Sequence, residues 1–245
     1  MTKKILQHYL GIDLAPVSHH EKLISACGGF IGILLVVTLS NWIMGAGPAV
    51  YIIPSMGASA VLLFAAPHSP LAQPWNVFGG HLVSALVGVI CAQFIPLPGV
   101  AAAASVGLAI GAMYYLRCMH PPGGATALAA VIGGAQIHAL GFDYLLAPVL
   151  VNTIAILSVA LLFNYLFKWR RYPACLTGKD TVKQPTNDID GLVTHADLVY
   201  ALGEMDSFID VTEEDLLKIY KLASGRKPDS GGESKKSDTN GNAER

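Results

Sequence analysis

Charge is nearly absent from the middle of this 245-residue chain. Between residues 23 and 167 there is one basic residue, Arg117, and one acidic residue, Asp143. A soluble domain of that length needs a charged surface, whereas a bilayer-embedded one must avoid ionised side chains. Charged residues are 13% of the whole chain, against about 25% in soluble domains. The four cysteines, Cys27, Cys91, Cys118 and Cys175, show no C-x-x-C spacing, which excludes a case for a disulfide framework or a zinc site. No Ser/His/Asp arrangement, metal cluster or phosphate loop is readable, so neither an enzyme nor a cofactor is expected. The net charge of −1 gives no reason to expect a nucleic-acid partner. The first 23 residues are polar and hold no short apolar core with a small-residue cleavage site, so no cleavable leader is expected.

What is present is apolar sequence, 53% of the residues. It divides at Pro, Gly and polar clusters into segments 24–44, 50–66, 78–97, 99–116, 123–134 and 144–167. Three of them reach about 20 residues, enough to span a bilayer. Segments 50–66 and 123–134 are short. Lys3, Lys4 and Lys22 precede the first segment, and Lys168, Arg170 and Arg171 follow the last. By the positive-inside rule both termini are cytoplasmic and the number of crossings is even. Six segments satisfy this; four would fit if both short ones failed to cross. In a bacterium the membrane would be the inner one.

One eight-residue pattern occurs twice. Residues 54–61, PSMGASAV, and 121–128, PPGGATAL, both read P-x-x-G-A-[ST]-A-[VL]. Gly45-Ala46 and Gly111-Ala112 precede them at similar distances. Matched Gly/Pro-interrupted segments in two halves of a membrane protein point to a transporter's binding site. Three segments per copy, 24–97 and 99–167, turn the second repeat upside down relative to the first. The expected fold is therefore an all-α polytopic bundle of about six segments, two inverted three-segment repeats with broken or half helices. Pro54 and Pro121 pre-set helix starts. Two starts facing one cavity would offer unpaired N–H groups and partial positive charge to an anion. The plainer alternative is two ordinary helix starts at the interface.

The candidate substrate-binding residues are Gly57, Ala58 and Ser59 of the first copy, and Gly124, Ala125 and Thr126 of the second. Arg117 and His120 lie just before the second copy. Arg117 reads either as a counter-charge for an anion or as a topology anchor. His120 could carry a proton with a substrate or donate a structural hydrogen bond, the reading preferred on sequence. His81 and Asn152 read as interhelix hydrogen-bond partners, and Asn164 as an interfacial residue.

The run 117–127, RCMHPPGGATA, resembles the signature of the HPP family of integral membrane proteins, named for its His-Pro-Pro. The first half is similar to it as well, in 57–64 GASAVLLF, 69–74 SPLAQP and Gly79-Gly80-His81. The likeness covers about residues 16–170. The family's usual description is a four-span membrane domain, and some members are described as nitrite transporters. The resemblance implies a carrier or channel for a small anion. Some members continue into cytoplasmic CBS domains; here residues 194–223 look like the linker before such domains, so nucleotide sensing is not carried over.

From Lys168 the composition turns polar. Residues 1–22 form a cytoplasmic N-terminus, 23–169 the membrane domain, 170–224 a cytoplasmic helical tail and 225–245 a disordered end. Residues 194–197 and 212–215 resemble capping boxes ahead of two short helices. These are too small to hold a core alone, so the tail should dock on the membrane domain or another subunit. The partners expected are thus the lipid bilayer, a small anion and a second copy in a homo-oligomer. The competing function is a non-transporting scaffold or sensor that recruits a partner through this tail.

Overall fold

The computed structural model describes residues 17–44 and 53–176. The Gly45-Ala46 pair, the stretch leading into Pro54, and the helical tail and disordered end expected beyond residue 176 lie outside them. Seven α-helices are present among the described residues: α1 His19–Met44, α2 Ser55–Ala65, α3 Pro74–Phe94, α4 Pro98–Tyr115, α5 Pro122–Ile132, α6 Ala135–Leu140 and α7 Val151–Tyr165. Proline stands at the first turn of α3, α4 and α5, where its missing N–H costs nothing and its φ suits the helix. Before α7 the chain turns through Leu145–Leu150, where Ala147 leaves helical geometry ahead of Pro148.

Four helices are long and apolar enough to cross a membrane: His19–Ile43, Pro74–Phe94, Pro98–Tyr115 and Leu145–Tyr165. The two helices that begin at the repeated motif are different. α2 and α5 have 11 residues each, about 16 Å of helix against a hydrocarbon core of about 30 Å. Among the described residues helices cover parts of all six apolar segments, four of them long and apolar enough to span and two about half that length.

Contacts set the direction of each segment. The Trp75 indole at the start of α3 donates to the Leu116 carbonyl at the end of α4, 3.3 Å away. Residues 66–73 join the end of α2 to the start of α3. Arg170, just after α7, bonds Glu21 at the start of α1 and the Phe64 carbonyl at the end of α2. The starts of α1 and α3 and the ends of α2, α4 and α7 therefore share one edge of the bundle. α5 starts deeper, beside Gly80, and runs away from that edge past Gly88. Along the chain α1, α2 and α3 run away, toward and away; α4, α5 and α7 run toward, away and toward.

In lipid, helices associate through close packing and internal polar contacts rather than through the hydrophobic effect. Gly28 and Gly32 on α1 form a small-xxx-small groove. A Cβ on Gly28 would lie 2.5 Å from the Phe64 ring, and one on Gly32 2.7 Å from it, so the ring of α2 sits in that groove. Phe64 also meets Phe163 of α7 edge-on, with centroids 5.7 Å apart. Buried Ser40 and Asn152 bond each other across α1 and α7, the interhelix role expected of Asn152. Asn164, expected at the interface, is fully buried: it donates to the Leu63 carbonyl at 3.1 Å and accepts from Arg170. Outward faces carry large apolar side chains such as Phe30, Trp42, Leu108 and Leu162, as a lipid-facing surface requires.

Candidate functional site

The site begins with glycine. Gly79 and Gly80 on α3 have no Cβ, and the 116–121 connection lies directly on them. A Cβ on Gly80 would meet His120 Cβ at 2.5 Å and the Cys118 carbonyl at 3.0 Å; one on Gly79 would meet Cys118 Cβ at 2.8 Å. Asn76 holds the connection by donating to the Met119 carbonyl at 2.9 Å. Gly123 lets α5 start equally close, 2.8 Å from the Gly80 carbonyl to its own ideal Cβ position. The Gly-Gly-His and His-Pro-Pro-Gly-Gly motifs thus interlock. Their two imidazoles meet edge to face, with centroids 5.0 Å apart.

Both copies of the repeated motif reach this pair. Ser59 Oγ of the first copy lies 2.8 Å from His81 Nε2 and 2.9 Å from His120 Nε2. Thr126 Oγ1, at the equivalent position of the second copy, lies 2.7 Å from His81 Nδ1 and 2.8 Å from Ser55 Oγ. His81 therefore bridges the two equivalent hydroxyls. His120 Nδ1 faces the Leu71 carbonyl at 2.8 Å, and the Tyr144 hydroxyl donates to the Thr126 carbonyl at 3.0 Å. Ser55, Ser59, His81, His120, Thr126 and Tyr144 are all buried. A buried polar group left without a partner costs about 1–3 kcal/mol, so a closed network is what allows them at this depth.

Only one arrangement of the neutral groups satisfies all four ring nitrogens. A carbonyl only accepts, so His120 carries its proton on Nδ1 and its Nε2 accepts from Ser59. Ser59 has one proton to give, so His81 must donate to it through Nε2–H. His81 Nδ1 then accepts from Thr126, and Thr126 accepts from Ser55. The chain has one direction, from Ser55 through Thr126, His81, Ser59 and His120 to Leu71.

Of the residues expected at the site, Ser59, His120 and Thr126 come together here. The others do not. Helical periodicity turns Ser55 and Ser59 inward and leaves Gly57 and Ala58 exposed, and it leaves Ala125 exposed beside inward Thr126. Gly124 lies against Val106 of α4. Arg117 is exposed, with φ 53°. Cys118 N–H bonds the Met113 carbonyl and Arg117 N–H the Tyr114 carbonyl, so Arg117 is the left-handed residue that closes α4, a place usually taken by glycine. Its charge there suits the negative end of the helix.

The backbone chemistry also differs from expectation. Pro121 and Pro122 have no N–H, Gly123 N–H bonds the His120 carbonyl at 2.8 Å and Gly124 N–H the Pro121 carbonyl at 3.1 Å. At the first motif Met56 and Gly57 donate to the Ile53 and Pro54 carbonyls. These amides are already paired, so polar contacts at the helix starts come from hydroxyls and imidazoles. Sequence reasoning missed Ser55 and Tyr144, and gave His81 only a structural part. The i, i+4 spacing of Ser55 and Ser59 was the available signal; nothing in the sequence pointed to Tyr144.

A second buried polar group lies at the edge of the bundle. Arg170 pairs with Glu21 and also bonds Asn164 Oδ1, Ser25 Oγ and the Phe64 carbonyl. The Trp169 indole donates to Glu21 at 3.1 Å. Burial lowers the Arg170 pKa, and the Glu21 carboxylate beside it pulls it back up. Next to it Tyr172 donates to the Ala72 carbonyl at 2.7 Å, and burial pushes its hydroxyl pKa up.

A family model described as "HPP, transmembrane region" matches residues 14–173. Two curated proteins of Dictyostelium discoideum, both described as transmembrane proteins, are similar to the chain. One is 41% identical over 148 residues, covering 59% of this chain and 47% of its own length. The other is 40% identical over 126 residues, covering 50% and 44%. The chain spans about half the length of the curated relatives it matches. No solved structure matches it.

Proposed function

The chain belongs to the HPP transmembrane family, and we propose that it moves a small inorganic anion, such as nitrite, across the membrane between two inverted three-segment repeats. The observation that carries this reading is the bridge: equivalent residues of the duplicated motif, Ser59 and Thr126, bond one imidazole, His81. The segment directions support the inverted plan, because each segment of 19–94 runs opposite to its counterpart in 98–165. The packing supports it too. α1 packs on α2 as α4 packs on α5, and α3 packs on α4 as α7 packs on α1. Two half-length helices that meet end to end at mid-depth are the arrangement transporters use for a central site. The anion would sit beside these hydroxyls and imidazoles, helped by the positive ends of α2 and α5. Arg117, at the exposed end of α4, would draw anions to the approach.

Uptake by the purified full-length chain in liposomes tests this, using nitrite, nitrate, formate and chloride one at a time. Saturable uptake of at least one anion above protein-free vesicles is the expected result. Rates equal to those of empty vesicles for the whole set would favour the scaffold reading. That reading has one observation in its favour: Tyr172 and Ala174, where the tail begins, bond Ala72 and Gln73 of the α2–α3 connection.

A further inference from the structure

The neutral network spends every proton it has, which leaves no donor for an anion. One added proton changes this. We infer that His81, Ser59 and His120 form a proton-binding site that holds one exchangeable proton for the two rings, and that this proton accompanies the anion. The second half of the inference rests on the transport reading; the first does not.

The geometry carries the step. A proton added at His81 Nδ1 makes an imidazolium that donates to Ser59 through Nε2–H and to Thr126 through Nδ1–H. Thr126 then turns its own hydroxyl proton to Ser55 Oγ, 2.8 Å away. This releases the hydroxyl proton of Ser55, which the neutral network had spent on Thr126. The charge can next cross the bridge. His81 Nε2–H passes its proton to Ser59 Oγ as Ser59 passes its own to His120 Nε2. His81 is then neutral, and His120 is the imidazolium, held by Leu71 and Ser59. One extra proton is present throughout, and no bond between heavy atoms changes.

Both rings point Nε2 at the same oxygen, and their centroids are 5.0 Å apart. Two positive charges at that distance repel strongly where water is excluded, so the pair takes one proton and not two. Among the described residues no carboxylate, lysine or arginine bonds to the cluster. The titratable groups packed around it are Cys118, whose carbonyl and side chain lie against Gly80 and Gly79, and Tyr144, bonded to the Thr126 carbonyl. With no fixed counter-charge, the added proton makes the cluster cationic, which is what a transported anion would pair with. One end of the network reaches Leu71 in the α2–α3 connection near the bundle edge, and the other reaches Ser55 and Thr126 at the helix starts. The relay therefore links an edge of the bundle to the place proposed for the anion.

The test is histidine nitrogen NMR of the full-length chain in lipid nanodiscs across an acid titration. His81→Gln and His120→Gln assign the two rings. At the basic end the expected forms are Nε2–H for His81 and Nδ1–H for His120. On acidification the two rings should titrate together and gain one proton between them, half of what two independent histidines gain. In Ser59→Ala, which keeps both rings, repulsion should still hold the uptake at one proton, while exchange of that proton between the rings should slow by about tenfold or more. Two full protons taken up independently, both rings neutral throughout, or unchanged proton exchange between the rings in Ser59→Ala would each overturn the proton site. Nitrite-driven proton movement into vesicles, read by a trapped pH dye, separates the two claims. A shared proton by NMR with no anion flux upholds the proton site and overturns the transport reading. Anion flux with independent titration overturns the proton site and leaves the transport reading standing.

Discussion

Two buried polar clusters among the described residues solve the burial problem in opposite ways. At the bundle edge, Arg170 and Glu21 are fixed charges, and Asn164, Ser25, Trp169 and a backbone carbonyl satisfy their remaining valences. Inside the bundle, Ser55, Ser59, His81, His120 and Thr126 hold hydroxyls and imidazoles only. The edge cluster ties the start of α1 to the ends of α2 and α7, and it has one arrangement. The central cluster has one arrangement while neutral, and one added proton would redirect its hydrogen bonds without moving a heavy atom. A network of fixed charges locks a structure, while one that gains and loses a proton can take part in a cycle.

The largest effect is expected from breaking the lock. Arg170→Met leaves the Glu21 carboxylate buried without its partner, which should cost about 3–5 kcal/mol. The double variant Arg170→Met/Glu21→Leu should recover most of that loss. Denaturant unfolding in mixed micelles measures both, and equal losses in the single and double variants would mean that the pair is not a unit. Next comes the interlock under the central cluster. Gly80→Ala drives a methyl into His120 and the Cys118 carbonyl, so about 2–3 kcal/mol should be lost. Gly57→Ala, where nothing lies within 4 Å of the added methyl, is its control and should be near neutral or slightly stabilising.

Ser59→Ala should cost less, about 1–2 kcal/mol, because it strands two ring nitrogens that rotation and water can partly satisfy. Ser59→Thr keeps the hydroxyl and should lose less than Ser59→Ala; a larger loss would show that volume, not bonding, decides this position. The smallest effect has the opposite sign. Arg117→Gly removes a left-handed side chain and should stabilise the folded protein by about 1 kcal/mol, as an upward shift of the unfolding midpoint. If the same variant slows anion entry at low salt, Arg117 also acts through its charge.

Much of this arrangement was legible beforehand, for reasons that differ from residue to residue. Pro54 and Pro121 read as helix starts in the sequence, and α2 and α5 begin one residue after them. Duplication singled out Ser59 and Thr126 as equivalents, and both bond His81. The same reasoning overvalued their neighbours. Gly57, Ala58 and Ala125 share the motif, but not the inward face, and a half-helix of 11 residues has too few turns for its hydropathy pattern to assign that face. The loss of backbone donors at Pro121-Pro122 could have been counted from the sequence. The pairing of His81 with His120 could not, since it depends on how closely residues 39 apart approach over Gly79 and Gly80. Arg170 was read as part of a positive flank, and its burial with Glu21 joins the two ends of the membrane domain, which no local pattern reports.

Flux through the two kinds of variant, measured side by side, tests the central claim most directly. Nitrite uptake would be followed in liposomes holding equal amounts of folded wild type, Thr126→Val and Arg170→Met/Glu21→Leu. Removing a hydroxyl that meets the anion or its proton costs a charge-assisted bond, about 1.5–3 kcal/mol, so Thr126→Val should slow uptake by about tenfold or more. The double variant should stay within about twofold of wild type. Unchanged uptake in Thr126→Val, or an equal loss in both variants, would contradict the account.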